Sequence, residues 1–199
     1  MITKEEILRL AYERGACKDG LEWYSKIPKK ALLTWDALTE GYFGWVALNI
    51  PEAIPYLRTL PEELKERALN ADEFYIRTSM AIIGYRLEVL KDDPVELVRL
   101  RVAKQGYALE QLKDDYVEYV RQEVARQGYA LEQLKDDPKW EVRWEVARQG
   151  YALEQLKDDP YYEVRAEVAL KGYALEQLKD DLDEYVKYVA RKKLKEMQQ

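Results

Sequence analysis

The chain contains no histidine in its 199 residues. That absence removes serine–histidine and cysteine–histidine nucleophilic catalysis, and every zinc or non-haem iron site that needs an imidazole. One cysteine, Cys17, is present. It excludes an internal disulfide framework and any multi-cysteine zinc or iron–sulfur site. Long apolar runs are missing too. None approaches the roughly 20 residues that cross a bilayer, so no membrane partner is expected. The opening Met1-Ile2-Thr3-Lys4-Glu5-Glu6 is polar and acidic, unlike a secretory signal, and a cytoplasmic location is expected. Positive charge is in deficit, with 32 Lys and Arg against 38 Asp and Glu and a formal net charge of −6. That disfavours general phosphate binding, though it leaves room for a local basic face or for an acidic face that meets a basic partner. Carboxylate chemistry survives these gaps, but nothing else in the chain points to it. No enzyme activity, cofactor or metal is expected.

What is present is a repeat. Gly-Tyr-x-Leu-Glu-x-Leu-Lys-Asp-Asp begins at Gly84 and returns at Gly106, Gly128, Gly150 and Gly172, every 22 residues. A fixed period of this length marks a solenoid, a stack of like units that each touch only their neighbours. In the unit from Asp137 to Gly150, Asp137 suits an N-cap, Pro138 the first helical position and Gly150 a left-handed C-terminal stop. Val142, Val146 and Ala147 share one face of the helix between them. Tyr151 to Lys157 has room only for a short second helix holding Leu153 and Leu156. Each unit is therefore one longer and one short helix. A single unit has too little apolar surface to offset its backbone entropy, so neighbours must supply the rest.

Upstream, residues 70–81 align with the longer helix, with Ile76, Arg77, Met80 and Ala81 in the Val, Arg, Val and Ala columns. Downstream, the last unit has lost one residue and runs into Arg191-Lys192-Lys193-Leu194-Lys195, as a polar terminal cap requires. Two domains are expected: an N-terminal helical domain over 1–69 and the repeat over 70–199.

The motif Asp-Pro-x-x-x-Val-Arg-x-x-Val-Ala resembles the second helix of HEAT repeats. The unit length and the alternation of long and short helices resemble the leucine-rich repeat variant family. The resemblance covers roughly 70–190 and implies an all-α, right-handed helical-repeat solenoid with the N-terminal domain packed on it. The variant family's N-terminal iron–sulfur module is not carried over, since Cys17 stands alone. HEAT-like repeats join their units by a ladder of Asp–Arg bonds. The resemblance implies the same for Asp93 and Arg99, Asp115 and Arg121, Asp137 and Arg143, and Asp159 and Arg165, with Lys187 as the last partner of Asp181. The first Asp of each pair (Asp92, Asp114, Asp136, Asp158, Asp180) is expected to be the freer one.

Residues 123–138 and 145–160 are identical, so the positions that do vary stand out. One column runs Glu96, Glu118, Trp140, Tyr162, Glu184. Another runs Leu100, Gln122, Trp144, Ala166, Tyr188. A third runs Val95, Val117, Lys139, Tyr161, Asp183. Trp140 and Trp144 lie on one line, turned away from Val142. Either these aromatics pack laterally on the next unit, or they form an exposed strip of the residue type enriched at interface hot spots. The candidate partner-binding residues are Trp140, Trp144, Tyr161, Tyr162, Glu118 and Gln122.

In the N-terminal part, Thr3-x-x-Glu6 reads as a capping box for a helix to about Glu13. Pro28 opens a second helix with Leu32, Leu33, Trp35 and Leu38. Residues 42–48 form a short apolar helix, and Pro61 precedes another. Trp23, Tyr24, Trp35, Tyr42, Phe43 and Trp45 are expected to fill a small core, and Cys17 to be a buried or structural thiol. Ala16-Cys17-x-x-Gly20-Leu21-Glu22-Trp23, with Trp35-Asp36-Ala37-Leu38 and Trp45, resembles a module of bacterial and bacteriophage proteins and implies no activity. The expected function is a non-enzymatic protein-binding scaffold, an adaptor or inhibitor. The alternatives are a nucleic-acid-binding HEAT-like protein and an acidic nucleic-acid mimic that blocks a basic protein.

Overall fold

A computed structural model describes residues 3–26 and 42–197. Among the described residues every regular element is a helix, and neighbouring helices pack in sequence order. The protein is an all-α helical repeat. It divides into two compact parts after Tyr107.

The first part opens with helix Lys4–Glu13, whose Thr3 side chain accepts from the Glu6 amide while Glu6 accepts from the Thr3 amide. This is the reciprocal box that the sequence predicts. Ile7 and Ala11 are the buried face of this helix. Arg14 grips Glu52 with two bonds of 3.0 and 2.7 Å and donates to the Asn49 carbonyl. Helices follow over Lys18–Lys26, Tyr42–Asn49, Ile54–Leu57 and Glu62–Leu69. The helix predicted from Pro28, with Leu32, Leu33, Trp35 and Leu38, lies outside the described residues, as do the side chains of Trp23, Tyr24, Tyr42 and Phe43. Trp45 is half-buried.

Helix Phe74–Ile83 packs on Tyr42–Asn49, on Glu62–Leu69 and on Glu96–Lys104. Ile76, Met80 and Ala81 are fully buried, as the column alignment predicts. Arg77 forks onto Asp93 at 2.6 and 3.2 Å.

In the second part, long helices Glu118–Arg126, Trp140–Arg148, Tyr162–Leu170 and Glu184–Met197 alternate with short helices Leu109–Leu112, Leu131–Leu134, Leu153–Leu156 and Leu175–Leu178. The valine seam is fully buried: Val120 and Val124, Val142 and Val146, Val164 and Val168. Leu112, Leu134, Leu156 and Leu178 close it from the short helices.

Helix Trp140–Arg148 ends in a Schellman motif. Gly150 N–H donates to the Ala147 carbonyl and Tyr151 N–H to the Val146 carbonyl, with Gly150 left-handed at φ +78. Two residues on, Ala152 also turns left-handed at φ +52 and launches the short helix. Ala108, Ala130 and Ala174 do the same.

The start of the long helix differs from the sequence expectation. Its N-cap is Lys139 rather than Asp137, and the first helical residue is Trp140 rather than Pro138. Asp137 accepts from the Lys139 amide at 2.9 Å, a two-residue Asx turn before the helix. The shift frees its carboxylate for a second task. Both oxygens also receive Arg121, at 2.6 and 2.9 Å. The same fork joins Arg143 to Asp159 and Arg165 to Asp181. Lys187, the expected last partner of Asp181, pairs instead with Glu184 at 2.6 Å.

Candidate functional site

The long helices point Val142 and Val146 inward, which turns Trp140 and Trp144 toward the opposite side. Neither tryptophan is fully out. Both are half-buried. The Trp140 ring stacks on Tyr161 with centroids 6.0 Å apart and planes 17° from parallel. The Arg143 guanidinium lies over Tyr161 at 5.6 Å, and that of Arg148 over Trp144 at 5.5 Å. Lateral packing and partial exposure therefore coexist: Trp140 stacks within the molecule, and both tryptophans keep part of their surface in solvent.

Tyr161 and Tyr162 are exposed, at 47% and 43%. Glu118 and Gln122, one repeat earlier in the same columns, are half-buried. The structure thus brings Trp140 and Tyr161 into contact, with Trp144 and Tyr162 on the two helices that carry them. Other exposed aromatics of the second part lie in the repeats before and after this pair. Tyr116 and Tyr119 precede it, and Tyr185 and Tyr188 follow it. Two of the large exposed residues had a signal in the sequence. Tyr116 and Leu182 occupy the column where Pro94, Pro138 and Pro160 stand elsewhere, and Leu182 is 98% exposed.

Electrostatics around Tyr162 are negative. The charge of Glu163 and its hydrogen bond, with burial and the charge of Asp183 behind them, push the phenol above its ordinary value. Glu141 and Glu163 occupy the same position in successive repeats. Each has its Oε2 buried without a hydrogen-bond partner.

A second feature, missed in the sequence, is a column of buried carboxylates. Glu123, Glu145 and Glu167 are all buried on the flank of the valine seam. Glu145 is fully enclosed and receives Arg126 at 3.3 Å, Arg148 at 3.2 Å and Gln149 at 3.2 Å. Glu123 receives Arg126 and Gln127, both at 3.0 Å. Glu167 is less well held. Desolvation pushes its carboxyl up, only partly offset by Lys171 and Arg148, and Glu145 adds to the rise. Each acid stands near a basic residue three or four positions on, Arg126, Arg148 or Lys171, which is a structural arrangement. No group of three potential metal ligands occurs among the described residues.

Two expectations are corrected. The first Asp column is not free. Asp114, Asp136 and Asp158 accept from Gln133, Gln155 and Gln177 of the following repeat at 2.5, 2.5 and 2.6 Å. These side chains reach across because the short helices repeat side by side. A parallel row joins Tyr129, Tyr151 and Tyr173 to Glu110, Glu132 and Glu154, each at 2.7 Å. Cys17 is exposed rather than buried. It sits just before helix Lys18–Lys26, where its sulfur accepts from the Gly20 amide instead of joining the apolar face.

Compared with protein-family models, characterised proteins and solved structures, the chain matches none of them.

Proposed function

We propose that the protein is a non-enzymatic helical-repeat scaffold that docks another protein on the outer aromatic face of its long helices, as a cytoplasmic adaptor or inhibitor. The observation that carries this reading is the exposure of Tyr161 and Tyr162 beside the half-exposed Trp140 and Trp144. Large aromatics at partly desolvated positions are the side chains that anchor protein interfaces. Trp140 is held in place by its stack on Tyr161, so such an anchor loses little rotamer freedom on binding. The resemblance to bacterial and bacteriophage modules fits an adaptor or inhibitor encoded by a bacterium or phage. The negative surroundings of Tyr162 favour a protein over a nucleic acid, since phosphates would be repelled there.

The test compares captured partners for the intact protein and for Tyr161→Ala plus Tyr162→Ala at equal helicity. Loss of specific partners supports the reading, and identical capture by both overturns it. Binding of single-stranded or duplex nucleic acid that weakens steeply with salt would favour the alternative of a nucleic-acid-binding repeat.

A further inference from the structure

We infer that the docked partner presents an extended, arginine-bearing basic segment, with one guanidinium seated beside each of Glu141 and Glu163. The inference rests on the docking surface proposed above and names its occupant.

The first support is the state of the two carboxylates. Glu141 and Glu163 stand 22 residues apart in the chain, in the first turn of successive long helices. In each, one oxygen is withdrawn from water and has no donor. Glu118 and Glu184 also stand in first turns, Glu184 paired with Lys187, and such placement complements the helix dipole. It does not account for an acceptor left unpaired twice at the same place. An incoming guanidinium supplies the missing donors once the half-exposed side chain swings outward.

The second support is charge. Glu141, Glu163 and Asp183 stand at the starts of successive long helices with Lys139 nearby, and Lys187, one turn past Asp183, is paired with Glu184. Arg143 and Arg165 are already committed to Asp159 and Asp181. The upward shift of the Tyr162 phenol reports the same negative field.

The third support is the aromatic setting. Arg143 over Tyr161 and Arg148 over Trp144 already pack arginine on a ring at this surface. Tyr162, which is exposed, offers a guanidinium from outside the same kind of ring, where a lysine supplies only a point charge.

Spacing then constrains the ligand. Packed helices lie about 8–10 Å apart. A polyproline II segment repeats its face every three residues, about 9 Å. Arginines at every third position of such a segment match successive helices.

The test is fluorescence anisotropy with a labelled peptide of Arg-Pro-Pro triplets. A citrulline-Pro-Pro peptide of the same shape but no charge serves as the comparison. The arginine peptide is expected to bind, and citrulline to weaken it by about tenfold or more, as loss of one charge-assisted contact does. Glu141→Gln plus Glu163→Gln is expected to give a similar loss. The melting temperature of that variant is the control for folding, since no bond to either Oε2 is removed. Equal binding of both peptides, unchanged binding of the arginine peptide by the folded double variant, or no binding of either peptide overturns the inference. The wider docking reading fails separately. If Tyr161→Ala plus Tyr162→Ala abolishes partner capture while the arginine peptide fails, only the basic class of ligand falls.

Discussion

Arg143 holds Asp159 in a two-pronged fork, Nε to Oδ2 at 2.6 Å and Nη2 to Oδ1 at 2.9 Å, while its third nitrogen donates to the Asp137 carbonyl at 2.8 Å. One side chain thus ties the entrance of its own helix to the entrance of the next. Both partners are nearly enclosed, at 11% and 3% side-chain exposure. Removing one leaves the other charged and dry. Asp159→Ala is expected to cost about 3–5 kcal/mol. Arg143→Lys keeps the charge but loses the fork, and should cost about 1–2 kcal/mol. In a double-mutant cycle read by urea denaturation, the Arg143→Ala plus Asp159→Ala protein should be more stable than the two single losses sum to, by more than about 0.5 kcal/mol. Additivity would mean the fork carries no coupling.

Gly150 and Ala152 give a matched pair of opposite sign. Both backbones are left-handed, at φ +78 and +52. A Cβ on Gly150 would meet nothing within 4 Å. Gly150→Ala therefore measures conformation alone and should destabilise by about 1 kcal/mol. Ala152→Gly relieves the same penalty and should be neutral or stabilising by up to about 1 kcal/mol. Thermal melts of the two variants give the signs directly. A loss of stability in Ala152→Gly would show that its methyl packs well enough to outweigh the backbone.

The repeat made much of this architecture readable, because a periodic sequence places each column in one environment. Val142, Val146, Leu156 and Gly150 are where their spacing puts them. The Asp–Arg ladder follows from a resemblance, but its pairs differ: Arg77, Arg121, Arg143 and Arg165 fork onto the Asp sixteen residues on, and the Asp six residues before Arg121, Arg143 and Arg165 gives its backbone carbonyl. What stayed hidden depends on choices local pattern cannot rank. Asp137 has an acceptor that suits an N-cap or an Asx turn equally, and the bond to Arg121 decides for the turn. Glu145 looks like a solvated helix residue until Arg126 of the preceding helix closes over it. The exposure of Trp140 depends on Tyr161, 21 residues later, so its own helix could not settle the matter.

The Cys17 thiol is exposed and accepts a 3.4 Å contact from the Gly20 amide. It should be alkylated by a maleimide in the native protein, to one adduct per chain, without loss of helicity. Intact mass and circular dichroism check this. Modification that requires denaturant would return Cys17 to the core.

Glu145 and Glu167 occupy the same column yet should respond oppositely to neutralisation. Glu145 has donors from Arg126, Arg148 and Gln149, so Glu145→Gln strands charged donors and should destabilise by about 1–3 kcal/mol. Glu167 has its carboxyl pushed up, chiefly by desolvation. Its native state therefore takes up a proton more readily than the unfolded chain does. The stability it contributes is full below the ordinary carboxyl value of 4.5 and is lost as pH rises through the raised native value. At neutral pH the ionised group is a liability that Glu167→Gln removes. The variant should melt higher than the parent near neutrality, and the difference should close once the pH falls below the unfolded value. Melting curves across that range measure it. A Glu167→Gln protein that melts lower at neutral pH would show that Arg148 and Lys171 more than offset the burial.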